Sequence, residues 1–438
     1  MEVSAVLVVG TAIFLWGVFS ARLTRSDLTA PIVFVGVGAL LAGLDLVDAP
    51  TAPETLRPLV ELTLVWVLFS DAARVPVQDL RVDLGRCVRL LAVALPLTVL
   101  AGWGVAAWLF PGLDVGLALL VGAALAPTDA ALGVPVVTNP VVPAGVRRLL
   151  TVESGLNDGI ATPVVMLALA LAASAEDVEG ATGLVQALAG LALGAVVGGA
   201  VGAAGGWLLR RARRRGWVTE DLAGIAVLAL AIVAYAAAVT LDANGFVAAF
   251  CGGIAFGALA GRRGPAELVF LDQAGGLASL LVWLAFGAVA GPIMLERIDL
   301  TTVLYAVLSL TVVRMVPVAL AMIDAGMDRG TVLFVGWFGP RGLASLVFAL
   351  LALEELGPAV DEAVTVIGVT VFLSVLAHGF SAAPLAGWYG RARESGTRGD
   401  DARIRTRIRF GRAADRVDPG YGDGTSNEES RGGGEHPT

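Results

Sequence analysis

The 438-residue chain contains no lysine, two histidines and two cysteines, and only 16% of its residues are charged. Soluble domains carry roughly 25% charged residues, so this composition is unlike that of an ordinary globular domain. Cys87 and Cys251 lie in separate apolar segments without a CxxC pair, which argues against a disulfide or a zinc site. A basic leader with a cleavage site is also missing, so we predict that the first apolar segment is a retained span.

Hydrophobic residues make up 57% of the chain and form runs longer than the roughly 20 residues that cross a bilayer core. This pattern predicts an all-α polytopic membrane protein. The predicted protein has about thirteen transmembrane helices, at residues 3–21, 29–47, 55–75, 87–110, 113–137, 145–173, 182–209, 220–241, 245–261, 266–292, 299–323, 330–354 and 362–388.

The loops between these spans alternate in charge. Arginine is concentrated in every second loop, whereas the loops between them are acidic, as in "DLVDAPTAPE" and "EELGPAVDEA". The positive-inside rule makes the arginine-rich loops cytoplasmic, so an odd number of spans places the N-terminus outside. Residues 391–438 are polar, Arg-rich and Gly-rich, and we predict a cytoplasmic, largely disordered tail there.

Two predicted spans contain helix-breaking residues in matching positions of the two halves of the chain. The fifth span is interrupted by Pro127, Thr128, Asp129 and Pro135, and the twelfth by "GWFGPRG" at 336–342. Six spans on each side of one linking span would give the halves opposite orientations. Paired broken helices in inverted halves indicate a transport site near the midplane of the membrane.

Five ionisable residues lie well inside predicted spans 5, 6, 11 and 12, and each costs about 2.5–3.5 kcal/mol if it is left unpaired at the bilayer centre. They must therefore contact one another or water within the helix bundle. The five residues are Asp129, Glu153, Asp158, Arg314 and Arg341.

The segment "ESGLNDG" at 153–159 places four polar side chains on one helix face. Glu153 and Asn157 are four residues apart, as are Ser154 and Asp158. With Asp129 and backbone carbonyls freed by the break in span 5, these oxygens form a hard site that suits an alkali cation. Two carboxylates that share a low-dielectric site cannot both ionise freely, so the same site can hold protons.

Structural roles are expected for several other charged residues. We expect Glu153 to pair with Arg341 and orient the site, and Arg314 to act as a second structural counter-charge. Asp71 is expected to form a local ion pair with Arg74.

Two other titratable residues lie inside predicted spans. His378 is the kind of residue that senses pH, although a packing role is the more common one for a lone histidine. Glu61 has no assigned role.

The motifs "PTDA" and "ESGLNDG", with "GFVAAFCGGIAFG", "VVRMVP", "GWFGPRGLASLVFALLAL" and "LAHGFSAAPL", make residues 1–390 resemble the NhaP-type sodium/proton antiporters, relatives of the animal sodium/hydrogen exchangers. The resemblance implies thirteen helices in two inverted six-helix repeats, and a homodimer. The implied core helices are 87–173 and 299–388, and the implied dimerisation helices are 1–75 and 182–292. The core moves against the dimerisation helices to give alternating access.

The resemblance also implies roles for individual residues. Asp158 is the principal carrier of the cation and the proton, and Asp129, Ser154 and the Thr128 carbonyl complete a Na⁺ site. Glu153 and Asn157 would be organised by Arg341. Ala130 replaces the proline that often follows the Thr-Asp pair in the family.

Stoichiometry is inferred from two differences from electrogenic relatives, which carry a second aspartate at the position of Asn157 and a core lysine. This chain has Asn157 and no lysine, so we predict electroneutral exchange of one Na⁺ or Li⁺ for one H⁺. No cofactor, enzymatic activity or nucleic-acid partner is expected. The expected location is the cytoplasmic membrane of a prokaryote, with a task in either sodium extrusion or pH control.

Other functions were weighed against this one. An intramembrane aspartyl protease would carry YD and GxGD motifs, which neither Asp129 nor Asp158 has. A cation channel needs no proton coupling. A K⁺/H⁺ antiporter of the same fold remains the main alternative, because cavity size decides between the two ions.

Overall fold

The helices of the protein follow the predicted spans closely. The computed structural model describes residues 3–25, 28–44, 56–75, 77–175, 184–261 and 264–414, and most of these residues are helical. A π-helical turn, Leu90–Ala94, joins α4 to α5, and a 3₁₀ turn, Gly357–Val360, precedes α17. The α-helices are α1 Val3–Arg25, α2 Ala30–Gly43, α3 Arg57–Arg74, α4 Val77–Arg89, α5 Leu95–Leu109, α6 Val115–Ala124, α7 Ala130–Val137, α8 Ala144–Ala175, α9 Leu184–Arg214, α10 Glu220–Val239, α11 Gly245–Ala260, α12 Gly264–Arg297, α13 Leu300–Leu310, α14 Val312–Ala321, α15 Arg329–Trp337, α16 Leu343–Leu356 and α17 Asp361–Ala414.

Each of the predicted spans falls on one of these helices or on a consecutive group of them. Among the described residues, 8 helical stretches are long and apolar enough to cross a membrane. Three shorter apolar helices, α2, α6 and α11, accompany them. The prediction of an all-α polytopic membrane protein is confirmed.

Helix α4 occupies most of the segment between predicted spans 3 and 4 and continues into span 4. Asp83 has non-helical backbone angles (φ −116°, ψ 20°) and marks a kink in this helix. Its carboxylate pairs with Arg86, 3.1 Å away on the same helix, and with Arg148, 3.1 Å away at the start of α8. These ion pairs stabilise a charged helix that the loop assignment did not anticipate.

The two predicted interruptions are confirmed, and a third is present. Residues 125–129 separate α6 from α7, and residues 338–342 separate α15 from α16. Pro135 lies inside α7 and takes no part in the break. Span 11 is also interrupted, at Thr311, whose hydroxyl donates to the Val307 carbonyl at 2.6 Å. Such back-bonding by threonine bends helices, and Pro317 weakens the same helix further.

The broken helix α16 lies at the centre of the transmembrane unit. Leu346, Val347 and Phe348 are all fully buried, although they point in different directions around the helix. A helix that is apolar and buried on every side has protein on every side. The break that precedes α16 is therefore enclosed by other helices, which is where non-helical backbone is tolerated in a membrane.

Helices α9 and α11 pack with almost no side chain between them. Gly198 and Gly202 of α9 lie directly against the backbone of Ala248 and Gly252 in α11. Small residues four positions apart allow helices in lipid to approach this closely, where dispersion replaces the hydrophobic effect. This contact explains the Gly-rich pattern of the span.

The chain divides into two compact units, Met1–Tyr389 and Gly390–Thr438. Helix α17 extends to Ala414. Residues 391–414 are therefore helical, whereas the sequence predicts disorder there. Residues 415–438 lie outside the described residues, so the disorder expected there stays a prediction. The division of the spans into core and dimerisation helices also stays a prediction.

The α9–α11 contact predicts a position-specific effect of adding one methyl group. A Cβ at Gly202 would overlap the Gly252 carbonyl oxygen, whereas a Cβ at Gly199 meets no atom within 4 Å. We expect Gly202→Ala to lower the free energy of unfolding by about 1–3 kcal/mol, as overpacking does. Gly199→Ala should melt like the wild type when the two variants are compared by thermal unfolding in detergent, and equal melting would contradict this packing.

Candidate cation and proton site

The two helix breaks cross each other, and Asp129 joins them. Its backbone N–H donates to the Pro340 carbonyl at 2.7 Å. Its carboxylate accepts from the Leu343 N–H at 2.9 Å and from the Leu132 N–H at 3.3 Å. Asp129 therefore caps α7 and α16 together, where the positive ends of both helix dipoles stabilise a carboxylate.

Two glycines make room for this crossing. A Cβ at Gly342 would collide with the Asp129 carboxylate, and a Cβ at Gly339 would collide with the Arg314 guanidinium. The sequence "GWFGPRG" thus supplies both the break and the space for the charged groups that fill it.

Arg341 binds the opposite break. Its Nη1 donates to the carbonyls of Ala126 at 2.6 Å and Pro127 at 2.9 Å. The side chain is fully buried, and its main-chain N–H donates to Ser374 Oγ at 2.7 Å. Two of the carbonyls that the break sets free are therefore hydrogen-bonded by a guanidinium.

The polar face of α8 contacts the break through Thr128. The Thr128 hydroxyl lies 3.1 Å from Ser154 Oγ and accepts from Asn157 Nδ2 at 2.6 Å. The Thr128 side chain is thus part of this site, whereas the sequence analysis assigned only its carbonyl. The ligand role of that carbonyl stays a prediction.

Asp158 lies on the same face of α8 and is only 8% exposed. Within the described part of the chain, its Oδ1 atom has no hydrogen-bond donor. Its charge interacts with those of Asp71 and Asp129. A buried carboxylate with an unpartnered oxygen and acidic neighbours is poised to bind a cation or a proton.

Glu153 forms an ion pair, but not with the predicted arginine. Its Oε1 accepts from Arg314 Nη2 at 2.5 Å, and both side chains are almost completely buried. The predicted Glu153–Arg341 pair is wrong, because Arg314 is the partner of Glu153. Asn157 donates to Thr128, and its organisation by Arg341 stays a prediction. The role of Arg314 as a structural counter-charge agrees with its contact to Glu153.

Asp71 was assigned to a local ion pair, and that assignment is wrong. Arg74 pairs instead with Asp272 of α12, which also accepts from the Ser70 hydroxyl. A Cβ at Gly155 would lie 3.4 Å from the Asp71 carbonyl oxygen, so Asp71 lies next to α8 at the level of the site. The rule that intramembrane acids are functional would have singled it out.

The donors at this site are mixed. No group of three or more His, Cys, Asp or Glu side chains in the described residues could hold a metal ion by itself. A cation at Asp158 would therefore also need neutral oxygens, and the hydroxyls of Ser154 and Thr128 lie on the adjoining surface. Neutral and anionic oxygens together suit hard, singly charged ions.

Residues 8–388 match a family described as the sodium/hydrogen exchanger, transmembrane. The chain belongs to this family. The family is one of transporters, and the match covers nearly all of the unit Met1–Tyr389, including both breaks and the polar face of α8.

Two bacterial relatives align with most of this chain. The chain is 27% identical over 396 residues to the K(+)/H(+) antiporter NhaP of Alkalimonas amylolytica, covering 87% of this chain and 66% of the relative. It is 27% identical over 365 residues to the K(+)/H(+) antiporter NhaP2 of Shewanella sp. (strain ANA-3), covering 82% of this chain and 62% of the relative. The chain thus spans just under two thirds of the length of these relatives.

The fold is similar to that of a solved antiporter. The structure of the sodium proton antiporter MjNhaP1 from Methanocaldococcus jannaschii at pH 8 superposes with a TM-score of 0.73. The match covers 87% of this chain and 98% of that chain at 19% identity. The predicted NhaP-like arrangement of inverted repeats with discontinuous helices is confirmed as the fold.

The Glu153–Arg314 pair predicts a stability coupling between α8 and α14. Breaking a buried ion pair strands a charge, so Glu153→Gln and Arg314→Met should each lower the free energy of unfolding by about 3–5 kcal/mol. The double variant should lose much less than the sum, as measured by unfolding in detergent. Glu153→Gln combined with Arg341→Met is the matched control and should be nearly additive; stronger coupling to Arg341 would refute the observed pairing.

Proposed function

We propose that the protein is a secondary antiporter that exchanges a monovalent alkali cation, Na⁺ or Li⁺, for H⁺ across a membrane. The observation that carries this proposal is the Asp158 carboxylate, buried beside the crossing of two broken helices with one oxygen unpartnered. The family match and the solved relative support the same activity.

Competition between the two cargoes follows from a single carboxylate. Ionised Asp158, with Ser154 and Thr128 beside it, attracts a cation, and protonation of Asp158 removes the charge that holds it. Asp129 and the Thr128 carbonyl complete the proposed ligand set, with Asp129 also holding the two half-helices in place. Binding of a proton to Asp158 therefore releases the cation, and binding of a cation releases the proton.

Electroneutral 1:1 exchange is supported by how the other charges are held. Glu153 is neutralised by Arg314, Asn157 carries no charge, and Asp129 is bound by backbone amides at two helix ends. Asp158 is then the group whose charge changes during the cycle. A charge that alternates between one cation and one proton moves no net charge across the membrane.

We further propose the architecture that the resemblance implies. Helices 87–173 and 299–388 form a core that moves against the dimerisation helices 1–75 and 182–292, in a homodimer embedded in lipid. The N-terminus lies outside and the C-terminus in the cytoplasm of a prokaryotic cell, because the arginine-rich loops face inward.

Potassium is the second candidate cation, because the two bacterial relatives described above are named K⁺/H⁺ antiporters. Oxygen donors serve either ion, and cavity size and ligand flexibility decide between them.

The test is exchange in proteoliposomes that are acidic inside and contain a pH-sensitive dye. We expect external Na⁺ or Li⁺ to restore the fluorescence of the wild type and to have no effect with Asp158→Asn, since the amide can neither bind a proton nor carry the charge. Clamping the voltage with K⁺ and valinomycin should leave the Na⁺ rate unchanged. Lowering the external pH should raise the KM for the cation, because protons compete with the cation for Asp158.

The outcomes separate the parts of the proposal. Exchange that persists in Asp158→Asn would remove Asp158 from the mechanism, and a rate that follows voltage would exclude 1:1 exchange. A stronger response to K⁺ than to Na⁺, measured without valinomycin, would make this a K⁺/H⁺ antiporter.

Asp71 is predicted to contribute to cation affinity without being required for exchange. Its charge acts on Asp158 from the neighbouring helix α3. Asp71→Asn removes that negative charge, so we expect a higher KM for Na⁺ and retained, voltage-independent transport in the same assay. A complete loss of exchange would make Asp71 a carrier alongside Asp158, and an unchanged KM would remove it from the site.

A further inference from the structure

His378 of α17 is buried against the break in span 12. Only 2% of the residue is exposed, and its ring packs against the ring of Trp337, with centroids 5.2 Å apart. Nε2 lies 2.8 Å from the Trp337 carbonyl oxygen, and Nδ1 lies 2.8 Å from the Ser374 carbonyl oxygen. Both ring nitrogens therefore face a backbone acceptor.

His378 is the middle one of three polar residues on one face of α17 that hold this break. Ser374, one turn earlier, accepts from the Arg341 main-chain N–H through its hydroxyl. Ser381, one turn later, accepts from the Trp337 indole N–H at 3.0 Å. The spacing of these residues places them on the same side of the helix. Together they hold both ends of the non-helical segment between α15 and α16.

The same heavy-atom positions suit two protonation states of the ring. A neutral imidazole has one N–H, which can donate from Nε2 to the Trp337 carbonyl while Nδ1 accepts from the Ser374 hydroxyl, 3.2 Å away. An imidazolium has two N–H groups and can donate to both carbonyls at once. Protonation of Nδ1 therefore prevents the Ser374 hydroxyl from donating to the ring. In both states the Ser374 hydroxyl oxygen accepts from the Arg341 main-chain N–H.

The charged groups that face His378 are Arg341 in the break and Arg314 on α14. Arg341 holds the Ala126 and Pro127 carbonyls next to Thr128, and Arg314 pairs with Glu153. An imidazolium would add a third positive charge to this pair of guanidiniums. A proton on His378 therefore acts on the groups that position the site, without touching Asp158 itself.

We propose that His378 is a proton-dependent positioning residue: when its ring is protonated, the added positive charge beside Arg341 and Arg314 disturbs the break of span 12 that positions the site, and the transport cycle slows. The inference rests on the proposed exchange activity and adds a second point of proton action to it. Protons at Asp158 compete with the cation and alter KM, whereas a proton on His378 alters the rate at which the loaded carrier moves, and hence Vmax.

The first test needs no transport. The chain contains two histidines, His378 and His436. Protein labelled at the histidine rings gives two NMR signals in detergent, and His378→Gln identifies one of them by its loss. We expect the His378 signal to shift as the ring gains a proton when the pH is lowered through the range in which the protein exchanges cations. A ring that keeps one protonation state over that range would overturn the proposal.

The second test measures Vmax for Na⁺ at saturating concentration over the same pH range. We expect Vmax of the wild type to fall at acidic pH and Vmax of His378→Gln to change much less, while KM rises with acidity in both. Ser381→Ala is the matched control: it removes a contact of the same break without removing a titrating group, so its profile should keep the wild-type shape. An unchanged Vmax profile in His378→Gln would refute the proposal. A wild type that exchanges no cation would instead refute the proposed function, and the NMR titration would still decide whether His378 changes charge in the folded protein.

Discussion

The rest of the transmembrane unit depends on the crossing of its two broken helices. Backbone groups released by a break cannot be left unpaired in lipid, where each costs several kcal/mol. The Asp129 carboxylate accepts from amides in both of the segments that cross, and Arg341 donates to two carbonyls of the opposite break. The polar side chains of one break thus satisfy the backbone of the other. The apolar helix α16 follows directly from this point and is buried on all sides, which keeps lipid away from the crossing.

Charge neutralisation around the crossing leaves a single carboxylate prominent. Glu153 and Arg314 cancel each other, and Asp129 is held by helix ends, so these charges stabilise the bundle. Asp158 has no such partner at Oδ1 in the described residues. An ionised Asp158 is costly without a bound cation, and a protonated one is not, which is the physical basis of the proposed exchange.

Local sequence signals predicted the breaks but not all of their consequences. Pro127 and the "FGPRG" segment could be recognised because proline and glycine interrupt helices wherever they occur. The interruption at Thr311 was missed because a threonine is compatible with a helix, and its effect depends on a hydroxyl contact. The charged stretch 77–89 was taken as a loop because hydropathy does not report the ion pairs of Asp83 with Arg86 and Arg148 that support it.

The sequence by itself determined the class of protein, the order of the spans, the two main breaks and the presence of Asp158 inside a span, because hydropathy, helix-breaking residues and the cost of buried charge act locally. Only the tertiary structure decided which partners meet. Arg314 and Arg341 are both arginines inside spans, and the choice of Glu153 between them depends on how α8, α14 and the break before α16 pack in three dimensions. The same holds for Asp71, whose approach to Asp158 follows from the close contact of α3 with Gly155.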